Sequence, residues 1–327
     1  MKFLIIGFGS AGQRHARVLR KIINSHDEIF IYRKNSRIGL ISPDLTLENK
    51  EINPILFYRS KELTNLTDIN QHKFDLTVIA TPPDSHYEYF NLVKDHSSKI
   101  LIEKPITTNP MDASEIISYS KTNNLPIYIG YQNMYQPALV DIKKLISQIG
   151  EIKKIKIKHI ENLDTMNPFR SMSKHHLNMS SGGGAFLGLS HELNLALNLF
   201  SDHKIMRFKI ADSDKSGKSI EFNFDLAGIK IINVEGKLDL ISDQKERFIQ
   251  FIGDRGSIIW DITENHLKAT LDGIEIHNSI FQIEKDELYE LQLLHVLNRK
   301  FDLPSNISIL ENALEIVEVF YEEIRRS

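Results

Sequence analysis

The chain has 327 residues, 41% of them hydrophobic and 25% charged, so at roughly 150 residues per domain it is long enough for about two globular domains with separate cores. Forty basic against forty-three acidic side chains leave a formal charge of −3, which excludes a general attraction for nucleic acid or anionic lipid and leaves only a local basic patch for that purpose. The sequence contains no cysteine, so disulfide frameworks, thiolate metal sites and cysteine nucleophiles are excluded, and thiols do not constrain the redox compartment.

The first residues, Met1-Lys2-Phe3-Leu4-Ile5-Ile6-Gly7, form an apolar run too short for a signal-peptide core and are followed by no small-residue cleavage site. No window approaches the ~20 apolar residues that span a bilayer. A cytoplasmic protein with neither membrane nor nucleic-acid partners is expected. Short apolar runs recur over residues 3–6, 29–32, 55–58, 76–80, 100–102 and 127–129. They are continuous rather than alternating, which predicts parallel strands covered on both faces. Helical spacing separates several of them, as in Ala16, Leu19, Ile22 and Ile23, or Ala113, Ile116 and Ile117. Strand and helix in alternation predict a doubly wound α/β sheet of Rossmann type over residues 1–125.

Directly after the first predicted strand stands Gly7-Phe8-Gly9-Ser10-Ala11-Gly12, followed by a helical stretch. In that context G-x-G-x-x-G is a dinucleotide-binding turn. The first glycine serves a tight turn, the second lets backbone approach a pyrophosphate, and the third lets helix pack closely on strand. An NAD-type fold usually places a carboxylate about 20 residues later, on the ribose 2′-hydroxyl. Here the second strand runs into Arg33, Lys34 and Arg37 with no acid among them. These cations suit a 2′-phosphate and favour NADP over NAD, although a solvated basic loop or stacking of an arginine on adenine would explain them too. The fourth strand leads into Thr81-Pro82-Pro83-Asp84-Ser85-His86 and the fifth into Glu103-Lys104-Pro105, both at strand ends where ligands of open α/β sheets sit. Proline after Lys104 favours an extended backbone there.

Beyond residue 125 the texture changes. Ile155 and Ile157, then Phe222, Phe224, Ile229 and Ile231, then Phe248, Phe251 and Ile258 alternate with polar residues, predicting a second, α+β domain over residues 126–327 with a large, mostly antiparallel sheet. Lys153, Lys154, Lys156 and Lys158 read as the solvated face of a strand. Residues 185–200 are apolar almost all round and predict a buried helix, on which Gly188, His191, Asn194 and Asn198 form one stripe. His191 has the residue type for proton exchange near neutral pH, although a satisfied core histidine has the same appearance. The glycines at 182–184 suit either close backbone passage by a substrate or a flexible lead into the helix. Leu288, Leu291, Leu294 and Leu297, then Leu310, Ala313, Leu314, Val317 and Phe320, mark helical core stripes, and Trp260 reads as packing. His175 and His176 are adjacent and no ligand spacing occurs, so no metal is expected.

Taken together, Gly7 to His15, Ala80-Thr81-Pro82, Glu103-Lys104-Pro105, Gly130-Tyr131-Gln132, and Gly182-Gly183-Gly184 leading to Ser190-His191-Glu192 resemble the Gfo/Idh/MocA family of NAD(P)-dependent oxidoreductases. The segment after the glycines resembles its bacterial surface-sugar-pathway subgroup. The resemblance implies a Rossmann domain joined to an α+β domain whose open sheet mediates a homodimer or homotetramer. It also implies hydride transfer between nicotinamide and a hydroxyl or keto carbon of a sugar or sugar nucleotide. By that similarity, the turn at Gly7, Phe8, Gly9, Ser10, Ala11 and Gly12 holds pyrophosphate, and Thr81 and Pro82 line the nicotinamide. His86, Glu103 and Gln132 join the cofactor site, and Lys104 and His191 are the catalytic pair, expected to face each other across one pocket. Arg170 resembles an arginine-bearing loop residue of relatives that would anchor an anionic substrate group, and Asn194 is a second candidate substrate contact. Gly188 and Asn194 stand where the family often has acids, and Met134 where relatives commonly have arginine. Two alternatives follow: a catalytically weakened regulatory or scaffold protein that still binds the dinucleotide, or a glycosidase-like relative that recycles its cofactor.

Overall fold

The computed structural model describes residues 1–34, 39–166, 179, 182–214, 216–297 and 306–324. Arg37 and Arg170, and with them His175 and His176, lie outside the described residues. The chain divides into two compact units. The first comprises Met1–Gln132 and the described part of Glu284–Val317; the second comprises Asn133–Met166, the described part of Ser173–Ile283, and the chain from Glu318.

In the first unit, strands β1 (Lys2–Ile6), β2 (Glu28–Tyr32), β5 (Lys61–Leu63), β6 (Leu76–Ile79), β7 (Ile100–Ile102) and β8 (Ile127–Ile129) pair in parallel in the order β5-β2-β1-β6-β7-β8. The hairpin of β3 (Leu40–Ile41) and β4 (Leu47–Asn49) stands apart. Without it the order is 3-2-1-4-5-6, that of a dinucleotide-binding sheet. Every residue of β6 and β7 is buried, as continuous apolar runs require. Helix α1 (Ser10–Ile22) packs on β1, and helix His86–Val93 on β6. The strand expected over 55–58 is instead helix Pro54–Phe57, started by Asn53, whose side chain accepts from the Ile55 N–H at 2.9 Å. An asparagine cap and a first-turn proline outweigh four apolar residues, and Leu56 and Phe57 are in fact exposed.

Helix Glu287–Val296 belongs to this unit and lies along α1. Asp286 caps it in the left-handed region at φ 68°, and its carboxylate pairs with Arg17 at 2.6 Å and Arg14 at 2.8 Å. The inward face is Gln292, Leu293 and Val296, with Leu297 beyond the helix end. The expected stripe through Leu288, Leu291 and Leu294 is only half-buried. Gln292 explains the rotation, since its amide donates to the Ile129 carbonyl at 3.1 Å and a buried amide must find such a partner. In helix Asn306–Val319 and just beyond it, Leu310, Ala313, Val317 and Phe320 are buried as expected, whereas Leu314 is half-buried.

The second unit is built on β9 (Ile152–Ile160), β10 (Lys204–Ser213), β11 (Ser219–Ala227), β12 (Ile231–Asp239), β13 (Glu246–Gly253), β14 (Gly256–Asp261), β15 (His266–Leu271) and β16 (Ile274–Ile280), in the order β10-β11-β12-β9-β13-β14-β15-β16. All neighbours are antiparallel except β12 and β9. Ile155, Ile157, Phe222, Phe224, Val234, Phe251, Ile258 and Trp260 form its buried face. Ile229 and Ile231 are exposed and do not continue that face. Phe248 is half-buried, because it stands three positions before Phe251, an odd offset, and strand side chains return to the same face every two residues. Lys154 and Lys158 pair across strands with Glu235 and Glu246, as a solvated face does.

What seats α1 on β1 is a contact that only glycine permits. A Cβ on Gly12 would lie 2.1 Å from the Gly7 carbonyl oxygen, an immovable backbone atom. Gly12→Ala should therefore destabilise the protein by about 3 kcal/mol, within the range of overpacked contacts, read as a lowered melting temperature; an unchanged melting temperature would contradict the packing described.

Candidate active site

The carboxyl ends of β1 and β6, where the strand order reverses, form the crevice used by ligands of such sheets. Gly7 ends β1 at φ 87°, and a Cβ there would lie 2.5 Å from the Ala80 carbonyl oxygen and 3.0 Å from Thr81 Cγ2. The turn thus passes tightly against the end of β6. Gly9 caps α1 without a side-chain hydrogen bond, and a Cβ on it would meet nothing within 4 Å. Bare backbone faces open space at the start of a 13-residue helix with no acid in its first turn. The backbone N–H groups of a helix start and the helix dipole suit a diphosphate there. Phe8 turns its ring into the core against Tyr58, and Ser10 is buried, so these residues offer backbone to the turn.

Two further loops are tied to this one. His86 is wholly buried; its Nε2 lies 2.9 Å from the Thr81 carbonyl, and its Nδ1 lies 2.9 Å from that of Pro105 and 3.2 Å from that of Ile106. Burial pushes its pKa down against the pull of these carbonyls. The imidazole therefore holds the Thr81-Pro82 loop to the loop after Lys104. Ser85 supports Thr81, its hydroxyl donating to Thr81 Oγ1 at 2.9 Å. The Lys104–Pro105 peptide bond is cis, and Lys104 is half-buried. From α1, buried His15 reaches Glu103, Nε2 to Oε1 at 2.8 Å, with the Tyr289 ring edge-on against it. A Cβ on Gly130 would lie 2.7 Å from Glu103 Oε2, so glycine at that position leaves room for the carboxylate. Gln132 follows β8, and its Oε1 is buried without a hydrogen-bond partner among the described residues.

At the end of β2, Lys34 is exposed, whereas Arg33 has a side chain only 8% exposed and donates from Nε to Glu62 Oε1 at 2.7 Å.

In the second unit, the helix expected over 185–200 is two helices, Ala185–Gly188 and His191–Leu199. Ser190 ends the first by donating to the Leu187 carbonyl at 3.0 Å, a local bond that competes with helix continuation. Gly182 and Gly184 precede them at φ 83° and 85°, backbone that glycine adopts freely. His191 opens the second helix and is 8% exposed; Asn194 is fully buried and accepts from Asn198 Nδ2 at 3.1 Å. A Cβ on Gly188 would meet nothing within 4 Å.

Beside His191 lies a buried ion cluster built on Glu192. Its Oε1 accepts from Arg247 Nε at 2.8 Å and Nη2 at 2.5 Å, and from Asn133 at 3.3 Å; its Oε2 lies 3.0 Å from His159 Nδ1. Burial alone would raise the carboxyl pKa, but the Arg247 and His159 charges outweigh it and hold Glu192 well below the usual carboxylate range. Arg247 and His159 are direct partners in the β13–β9 register, which is why two residues 88 positions apart meet one carboxylate. That pairing has no local sequence signal. His15 follows the glycine turn and Glu192 follows His191, but no local sequence signal announces their partners. Among the described residues no group of three or more His, Asp or Glu side chains is placed to hold a metal ion, and no helix is long and apolar enough to cross a membrane.

Glu192→Gln leaves Arg247 without its buried counter-charge and should cost about 3–5 kcal/mol at pH 7. A carboxyl whose pKa is depressed on folding stabilises above its unfolded pKa, near ~4.3, and loses that contribution as pH falls further. The gap between wild type and variant in thermal melts should accordingly narrow below about pH 4; a gap independent of pH would contradict a charged Glu192.

Residues 1–131 match the model of the Gfo/Idh/MocA oxidoreductase family, described by its NAD-binding Rossmann fold. The scyllo-inositol 2-dehydrogenase (NADP(+)) IolU of Bacillus subtilis is 22% identical over 263 residues, 77% of either chain. Among solved structures, UDP-N-acetylglucosamine 3-dehydrogenase GnnA from Acidithiobacillus ferrooxidans superposes with a TM-score of 0.74 at 14% identity, covering 98% of this chain and 96% of that one. The WlbA dehydrogenase from Chromobacterium violaceum, solved with NADH and UDP-GlcNAcA, gives 0.72 at 14% identity, covering 100% and 94%. These likenesses show a shared fold. The first 131 residues thus match the nucleotide-binding domain of the Gfo/Idh/MocA oxidoreductases, on a sheet of the corresponding strand order.

Proposed function

We propose that this oxidoreductase transfers a hydride between a nicotinamide cofactor, NADP in preference to NAD, and a hydroxyl or keto carbon of a sugar or sugar nucleotide. The observation that carries the reading is the grouping of a bare-backbone turn at residues 7–12, the Thr81-Pro82 loop and Glu103-Lys104 at the ends of β1, β6 and β7. The names of IolU, GnnA and WlbA's bound UDP-GlcNAcA support the substrate class. Arg33 and Lys34, with no acid between them and β2, support recognition of a 2′-phosphate.

The nicotinamide, when bound, supplies the hydride chemistry; the chain's residues bind, orient and manage the proton. The turn's N–H groups hold the diphosphate, with Gly9 allowing the approach. His86 and Ser85 fix the Thr81 loop. The Lys104 ammonium donates a hydrogen bond to the reacting oxygen, and the His191 ring takes the hydroxyl proton in oxidation and returns it in reduction.

Lys104→Ala should lower turnover about a thousandfold, the scale of a lost proton-transfer group, while leaving NADPH affinity nearly unchanged in fluorescence titration; undiminished turnover would reject the assignment. Gly9→Ala has room for its methyl and should cost no more than about 1 kcal/mol of stability, yet weaken NADPH binding at least about tenfold through the helix-terminus site. Wild-type affinity in that variant would remove the diphosphate from this turn. A screen of sugar nucleotides and inositols with NADP+ tests the substrate class. Binding of the dinucleotide without turnover across the screen would favour the regulatory reading, and glycosidic cleavage with recycled cofactor the glycosidase-like one.

A further inference from the structure

The sequence has no carboxylate at the tip of β2, yet the fold brings one there from another strand. Glu62 lies in β5, paired in register with Ile31 of β2, and its Oε1 accepts from Arg33 Nε at 2.7 Å. The Arg33 side chain is 8% exposed and Glu62 36%. Arg33 Nη1 is buried with no hydrogen-bond partner among the described residues. A guanidinium offers donors on a rigid fork, and one that is ion-paired through Nε has part of that fork and much of its charge committed. Lys34, next in sequence, is exposed.

In a sheet of this order, the residues after the second strand face the adenosine ribose. We propose that Glu62 is a specificity-determining residue for the cofactor: by pairing with Arg33 it restrains that side chain from a 2′-phosphate and so moderates the preference for NADP over NAD. A 2′-phosphate has to draw Arg33 from Glu62 or rely on Lys34, because phosphate and carboxylate compete for the same donors. A 2′-hydroxyl makes no such demand and leaves the ion pair standing. The strand pairing, rather than the motif after β2, then sets how far the enzyme discriminates.

This rests on the dinucleotide reading above, and the test separates the two. Dissociation constants for NADPH and NADH are measured by fluorescence titration for the full-length wild type, E62Q, R33A and the R33A/E62Q double variant, with melting temperatures recorded alongside. Glu62 is a surface residue of a short strand, and its glutamine variant keeps the volume and a hydrogen-bond acceptor. E62Q should raise the NADH-to-NADPH ratio of dissociation constants about tenfold, the scale of one charge-assisted contact, almost wholly by tightening NADPH. R33A should lower the ratio, and E62Q should add nothing in the R33A background, because Glu62 acts through Arg33. An unchanged ratio in E62Q overturns the inference, and so does an equal effect of E62Q with and without Arg33. Wild-type protein that binds neither nucleotide overturns the dinucleotide reading itself.

Discussion

One missing methyl group organises the first unit. Because Gly12 has no Cβ, α1 can rest on the Gly7 carbonyl, and its first turn begins where β1 ends. From that seat the periodicity of a helix does the rest: His15 lies three residues on, on the same face as Gly12 and Ala16. It enters the interior at the level of the β7 end and meets Glu103. Gly7 at φ 87° brings the same turn against Ala80 and Thr81. Three loops distant in sequence are thus held by backbone proximity and two buried histidines, His15 and His86. Lys104 projects from the most heavily tied of them. The turn at residues 7–12 and the loop that carries Lys104 are parts of one packed arrangement.

Buried charge is handled differently in the two units. In the first, a histidine donates to a partly buried carboxylate and an aromatic ring closes over it. In the second, Glu192 is fully buried and compensated by a bifurcated arginine contact, an imidazole and an amide. A buried ion pair of this kind contributes little net stability compared with an apolar replacement, but breaking it is costly. Its consequence is order: the start of helix His191–Leu199 is anchored to β9 and β13 by the residue next to His191.

Legibility in the sequence followed the range of the interactions. Local signals were readable. Apolar runs marked five of the six parallel strands, and each glycine of the turn has the stereochemistry its place in the motif implies: tight at Gly7, open at Gly9, packed at Gly12. Pro54 after Asn53 was readable too, but four apolar residues masked it and the strand lay a few residues later. What was not readable depends on pairing across the fold. The Gln292 bond to Ile129 turns a helix by one residue relative to its leucine stripe. The Arg247–His159 register creates the Glu192 cluster. Glu62 supplies from β5 a carboxylate that is missing after β2, so the residues after β2 alone do not give the local charge.

A crystal structure of the protein with NADPH tests whether a nicotinamide dinucleotide lies with its diphosphate on the start of α1. In that crystal structure the diphosphate oxygens should accept from backbone N–H groups of the turn at residues 8–11, with the nicotinamide at the Thr81 and Lys104 loops. A dinucleotide bound elsewhere, or a turn whose N–H groups point away from it, would contradict it.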